Sequence, residues 1–271
     1  KLQLAEVRYL MNTSSLPYLS ASLERGIMAN GRINTGTQQI RIDSVEIAEG
    51  ACRIRTLPGK ARMPVTGVDE KRRVQDTLAP WLSEVGTASV ADYAFSMEPA
   101  QGKGFELNLS RIAVHLDSIY NRGTTIRAAL KDLRVVRQEG GEITRMEADV
   151  DLDERKSRLA GVYLRTPDSR LRMDAMAESA MNGIIRQTPL SLTLDAVIGM
   201  KDVALFLPQI PRTLEKESIH LKAALSYQTR QLEIDRLLIA MPGNFKIEGR
   251  GNLSSLQNWR EISGNLALKG N

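Results

Sequence analysis

Aromatic residues are scarce in this chain: Phe, Trp and Tyr make up 4% of its 271 residues. Aromatic side chains supply much of the bulk in a thick two-sheet core, and that bulk is missing here. The recurrent apolar residues are Leu, Ile, Val, Ala and Met, which line a surface without interdigitating deeply. The scarcity points to a thin or open interior. Cysteine is scarcer still. The single thiol, Cys52, excludes an intramolecular disulfide and so neither favours nor excludes an oxidising compartment. In Ala51-Cys52-Arg53-Ile54-Arg55 it shares a face with Ile54, the place of a small buried hydrophobe. No run reaches the ~18 apolar residues of a membrane-spanning helix.

The absences extend to catalytic signatures. There is no HExxH, no GxSxG and no Gly-rich phosphate loop after a strand, so the common metalloprotease, hydrolase and nucleotide-binding classes lose their markers. The two histidines, His115 and His220, each stand between apolar neighbours (Val114 and Leu116; Ile219 and Leu221). Alternation therefore turns both outward to solvent. Cys52 has no histidine nearby to activate it. Asp151, Asp153 and Glu154 cluster, but Lys156 and Arg158 follow at once, the pattern of a charged turn at a strand end. The chain is expected not to be an enzyme, with no catalytic residue, metal or cofactor.

Net charge is +5, from 37 basic and 32 acidic residues mixed along the whole length. The one basic run, Lys71-Arg72-Arg73, follows Asp69-Glu70, and no aromatics interleave it. A nucleic-acid platform needs both a basic track and stacking rings, so nucleic acid is not expected as a partner. The charges read as a solvated outer face, with contact to anionic lipid headgroups as the lesser alternative.

What the chain has in abundance is alternation. Phe105-Glu106-Leu107-Asn108-Leu109, Pro189-Leu190-Ser191-Leu192-Thr193-Leu194 and Gly264-Asn265-Leu266-Ala267-Leu268 each place an apolar residue at every second position. In a pleated strand that period gathers the apolar side chains on one face. The fold class is therefore all-β, and the open question is whether the apolar surface is a packed core or a lipid path. Early strands are expected over 27–33, 39–42, 44–47 and 52–56, with turn signals at Asn30-Gly31, Gly36 and Glu49-Gly50. Residues 57–83 read as an irregular linker carrying a short helix, since Val74, Leu78, Trp81 and Leu82 fall at helical spacing and Pro80 interrupts it. Strands then resume over 88–97, 105–109, 112–116, 126–130, 133–136, 143–152, 159–164 and 170–175. After an irregular patch at 177–187 come strands at 190–197, 219–227, 231–234, 237–241, 245–249 and 262–269. Residues 199–208 read as one or two helical turns stopped before Pro208. Segments 162–173 and 237–248 repeat a strand–Pro turn–strand unit, as solenoids do.

These residues resemble a family. The run 234–253, with Met241-Pro242-Gly243-Asn244-Phe245 at its turn, is similar to the repeating unit of TamB and its AsmA-like relatives. So is 159–173 with its Thr166-Pro167-Asp168-Ser169 turn. Pro80-Trp81-Leu82-Ser83-Glu84-Val85-Gly86 resembles the segment that opens a new block of strands, and Lys201-Asp202-Val203-Ala204-Leu205-Phe206-Leu207-Pro208 its short helical element. The resemblance implies an elongated, twisted, mostly antiparallel sheet folded into a U-shaped groove with an apolar interior. It further implies a place in the periplasm of a Gram-negative bacterium, in a longer protein anchored in the inner membrane, with 1–271 as one continuous segment. Phospholipid acyl chains would be the cargo. A BamA-like outer-membrane barrel of TamA type would be a partner through regions outside this segment, linking the protein to outer-membrane protein assembly.

Under that reading the groove lining comprises Leu107, Leu109, Ile112, Val114, Leu116, Leu190, Leu192, Leu194, Ile219, Leu221, Ile234, Ile247, Leu266 and Leu268. Roughly 16–18 strands stacked ~4.8 Å apart would make the segment about 75–90 Å long. Three alternatives stay open: a structural β-solenoid or adhesin with a self-filled core, a lipopolysaccharide-bridge protein with a similar groove, and a polysaccharide-cleaving β-helix enzyme, which would need an exposed carboxylate cluster on one face. Asp43-Ser44-Val45, Asp76-Thr77-Leu78 and Asp117-Ser118-Ile119 also resemble the short O-glycosylation acceptor of Bacteroidetes envelopes, at Ser44, Thr77 and Ser118. Ordinary turn residues are the favoured reading of those three.

Overall fold

Alternating apolar and polar residues make strands, and strands must pair to satisfy their backbone groups. Among the described residues they do so in one sheet of sixteen. The computed structural model describes residues 2–11, 18–56, 80–99, 106–179, 189–205, 207, 209–228, 231–254 and 263–271. The first half contains β1 (Leu2–Met11), β2 (Tyr18–Ala29), β3 (Arg32–Asn34), β4 (Gln39–Thr56), β5 (Leu82–Pro99), β6 (Leu107–Arg122), β7 (Thr125–Arg137) and β8 (Glu142–Ile143). The second contains β9 (Arg145–Leu152), β10 (Ser157–Arg165), β11 (Arg170–Ala177), β12 (Leu190–Gly199), β13 (Ser218–Gln228), β14 (Gln231–Met241), β15 (Phe245–Ser254) and β16 (Ser263–Gly270). One short helix, α1 (Met200–Ala204), and a 3-10 turn at Arg212–Leu214 lie between β12 and β13.

Fourteen strands lie side by side in chain order, while β3 pairs only with β4 and β8 only with β7. At ~4.8 Å per neighbour the sheet measures about 62 Å across its strands. That is shorter than the 75–90 Å expected, because several short strands expected in series are parts of single long ones. Every neighbouring pair is antiparallel except β4 and β5, which run parallel from Gln39↔Leu82 to Thr56↔Pro99. A parallel pair cannot be closed by a tight hairpin, and residues 57–81 join the two strands. The linker expected over 57–83 thus ends two residues early, with Leu82 and Ser83 already in β5. Its helical spacing, apart from Leu82, lies outside the described residues or, at Trp81, outside any helix.

Why one strand reads as three is visible in β4. Its inner positions are Ile40 and Ile42, then Val45 and Ile47, then Cys52 and Ile54, and the charged residues around them, Arg41, Asp43, Glu46, Glu49, Arg53 and Arg55, are exposed. The alternation slips by one residue near Asp43-Ser44 and again near Glu49. Glu49 has φ 58° and its neighbour across the parallel pair, Asp92, has φ 51°. Asp92 stands at a bulge against β6, where the register shifts between Val90 and Tyr93; β4 keeps its register with β2 and β5 through Glu49, so the kink there re-aims the side chains in step with its neighbours. Ser118 in β6, φ 54°, does the same on the next strand. Each slip restores apolar residues to one face and bends a long strand across the groove, so the Glu49-Gly50 turn signal marks a bend inside a strand. Ser44 is paired within β4, opposite Ala29 and Thr87, and Ser118 belongs to a bulge of β6 against β7, so neither is a turn residue; Thr77 lies outside the described residues.

Gly50 sits at such a bend because nothing larger fits. A Cβ there would come 2.4 Å from the Ser22 carbonyl oxygen and 2.6 Å from Tyr93 Cε2, so the Tyr93 ring covers the glycine from the neighbouring strand. Gly50→Ala should therefore cost about 1–3 kcal/mol through overpacking against backbone. Gly36→Ala, where the nearest atom is 3.4 Å away, should stay within ~0.5 kcal/mol of the parent. Urea midpoints of the two variants decide it.

Candidate functional site

The candidate site is the apolar face, which the pairing register builds row by row. One row runs from Val150 to Leu159, Ala175, Leu192, Leu225 and Ile234, ending at Gly251 and Leu266. A second runs Leu164, Leu171, Ala196, Leu221, Ile239 and Ile247. In the first half Met28, Val45, Ala88, Leu116, Leu130 and Ala148 form a matching row. Of the residues expected to line the groove, Leu116, Leu192, Leu221, Ile234, Ile247 and Leu266 stand in these rows, while Leu107 and Leu109 pair with Met97 and Phe95 of β5. Bulges keep the rows in phase. In β10 the bulge falls at Gly161 (φ 60°), whose amide donates to the Asp174 carboxylate at 2.7 Å.

This face is lined but not filled. Among the described residues no large side chain is fully buried, and the residues buried deepest are small ones such as Ala177 and Ala196. Towards the β16 end the wall opens further: Phe245 and Ile247 are 38% exposed, Leu266 42% and Leu268 59%. Contiguous apolar surface of this extent on one side of a sheet marks a surface made to be covered.

The opposite face is charged and self-paired. Arg41 meets Glu84 at 2.7 Å, Arg127 meets Asp151 at 3.0 Å and Lys222 meets Asp195 at 2.9 Å. His115 Nε2 sits 3.1 Å from the Asp117 carboxylate, and both histidines occupy this outer face, opposite the apolar rows. The acidic cluster at the β9–β10 turn is also accounted for. Asp153 accepts the amides of Arg155 and Lys156 at 2.7 Å each, which hold its carboxyl below the usual range, while Glu154 accepts the Thr124 hydroxyl at 3.1 Å. No group of three or more potential metal ligands occurs among the described residues. Cys52 lies on the apolar side, half-buried where a buried thiol was expected. Burial raises the pKa of its thiol and, together with Cys52, that of the Tyr93 phenol.

Sequence reasoning missed what α1 does. The Asp202 carboxylate accepts short hydrogen bonds from the Thr166 and Ser169 hydroxyls, and Ser169 Oγ accepts the Gly199 amide at 3.0 Å. The helix is thereby fastened to the turn between β10 and β11. From there Leu205 reaches Gly141: a Cβ on that glycine would stand 2.8 Å from Leu205 Cδ1. Gly141 follows β7 and α1 follows β12, four strand spacings or about 19 Å apart in a flat sheet. The helix and the sheet's curl close that gap and leave a cavity of about 470 Å³ beneath. The Gly140-Gly141 pair and the expected helix were the signals in the sequence, but nothing local connects them.

Comparison of the chain with protein-family models, with curated proteins and with solved structures finds no match. The site is therefore read from its own geometry.

Two outcomes test the polar fastenings. Asp202→Ala removes charge-assisted hydrogen bonds of about 1.5–3 kcal/mol, so the Met200 and Leu207 amides, bonded to Glu217 and Val203, should exchange with solvent about tenfold faster or more while strand amides are unchanged. The Lys222 ammonium holds the Asp195 carboxyl below its ordinary range. A depressed folded-state value means that the pair's contribution is complete above the unfolded carboxyl value, ~3.9, and is lost as pH falls through the folded one. Lys222→Met should raise the Asp195 midpoint in an NMR titration.

Proposed function

We propose that this chain is a non-enzymatic segment of a TamB-like bridge, a groove along which phospholipid acyl chains pass between the inner and outer membranes of a Gram-negative envelope. The observation that carries the reading is the unfilled apolar face, continuous across the sheet and backed by a charged outer face. Moving a lipid tail through water exposes its methylenes at about 0.8 kcal/mol each; an apolar wall removes that cost. The wall's backbone groups are already paired within the sheet, so none needs a partner from the lipid. A periplasmic location, an inner-membrane anchor elsewhere in the protein and a BamA-like barrel partner of TamA type belong to the same proposal, as does a part in outer-membrane protein assembly. A self-filled solenoid is disfavoured by the half-exposed inner rows.

Cross-linking tests the face assignment. A photoreactive residue at Leu192 or Leu266 should capture phospholipid in cells, and one at Thr193 or His220 should not; equal labelling of both sets would sink the groove. Blocking tests continuity. Leu192→Arg in the full-length protein should abolish transport with the fold retained, because an open wall lets the guanidinium reach water. Loss of the circular dichroism spectrum would indicate a closed core burying an unpaired charge.

A further inference from the structure

The cavity beneath α1 has the size of a small-ligand site, within the usual ~300–1,000 Å³. Leu107, Leu109, Val135 and Ile143 form its floor, and Leu205 closes it from the helix side. Leu107 and Leu109 pair with Met97 and Phe95 of β5, so the floor adjoins the apolar side chains of the neighbouring strand. Its polar side is acidic. Glu106, Glu142 and Asp202 line it against one cation, Arg137, whose guanidinium pairs with Glu139 at 2.8 Å. Glu106 accepts a hydrogen bond from the neutral Asn108 amide at 2.9 Å, and Asp202 accepts from two hydroxyls. None of the three carboxylates has an ion-pair partner among the described residues.

We propose that this cavity docks the ammonium head of an amphiphile whose alkyl chain lies along the groove. The inference rests on the groove reading and adds to it a headgroup class and a place of entry. Carboxylates at the mouth attract a cationic head and repel a purely anionic one. The apolar floor takes the first methylenes of the chain, and Leu205 limits the approach from above, leaving the groove as the way onward.

The test uses the whole chain and three probes below their micelle concentrations: dodecylammonium, dodecyl phosphate and dodecyl maltoside. In calorimetry at low salt the ammonium probe should bind about three- to tenfold tighter than the neutral one, as two or three partly exposed charge pairs permit, and the phosphate should bind weakest. The preference should fade at high salt. In Glu106→Gln/Glu142→Gln, at two exposed positions, it should collapse while dodecyl maltoside binds as before. A diazirine on the alkyl chain of the ammonium probe should label the peptides holding Leu107 and Leu205. Binding without headgroup preference, a preference that survives the double substitution, or labelling elsewhere alone overturns the docking site and leaves the groove standing. Failure of all three amphiphiles to bind overturns both.

Discussion

A sheet without a second layer on its apolar face has one dominant source of order, the ladder of backbone hydrogen bonds between neighbours. Everything else here depends on that ladder. Packing cannot dominate, because no large side chain among the described residues is fully buried. Cross-strand side-chain pairs add only about 0.2–1 kcal/mol each. Each strand therefore depends mainly on the two beside it, a quasi-one-dimensional arrangement in which length is added without changing the cross-section. The same constraint keeps the faces distinct. A single slip of register would turn a row of leucines outward, so where an extra residue enters one strand the neighbours bend at the same level. Glu49 and Asp92, side by side in β4 and β5 with φ 58° and 51°, are the clearest case.

How much of this was legible follows from which information is local. The faces were legible: alternation around Leu190, Leu192 and Leu194, or Leu266 and Leu268, fixes which side chains share a surface wherever the strand is regular. Strand ends were not. A phase slip at Ser44 or Glu49 looks in sequence like a turn, because strand kinks and turns use the same residues and the same φ; only the partner strand tells them apart. The parallel pairing of β4 with β5 was not legible either, since partner choice is a property of two distant segments. The cavity at α1 was the least accessible. It is assembled from the start of β6, the turn after β7, the turn after β10 and the connection after β12, and its glycine and leucine lie far apart in the chain.

Charge is partitioned with similar consistency. The outer face pairs its own ions in partly exposed geometry, where each pair is worth little on its own and weakens with salt. The apolar face carries almost none. The rim beneath α1 departs from this division, with carboxylates standing at the edge of an apolar floor. It is there that a molecule with two chemically different ends would be held in one orientation.

The single parallel pair has a consequence for how such a sheet is built. In a pure antiparallel meander, strands come in hairpins, and the rim from which the chain leaves is fixed by whether their number is odd or even. The β4–β5 step breaks that parity. After it, successive hairpins lie on rims opposite to those that counting alone would assign, while the apolar face is undisturbed. A block of strands with an odd count can therefore be joined to another without inverting the wall. The join acts as a seam at which blocks of unlike size are spliced, and groove length and the exit rim become independent choices.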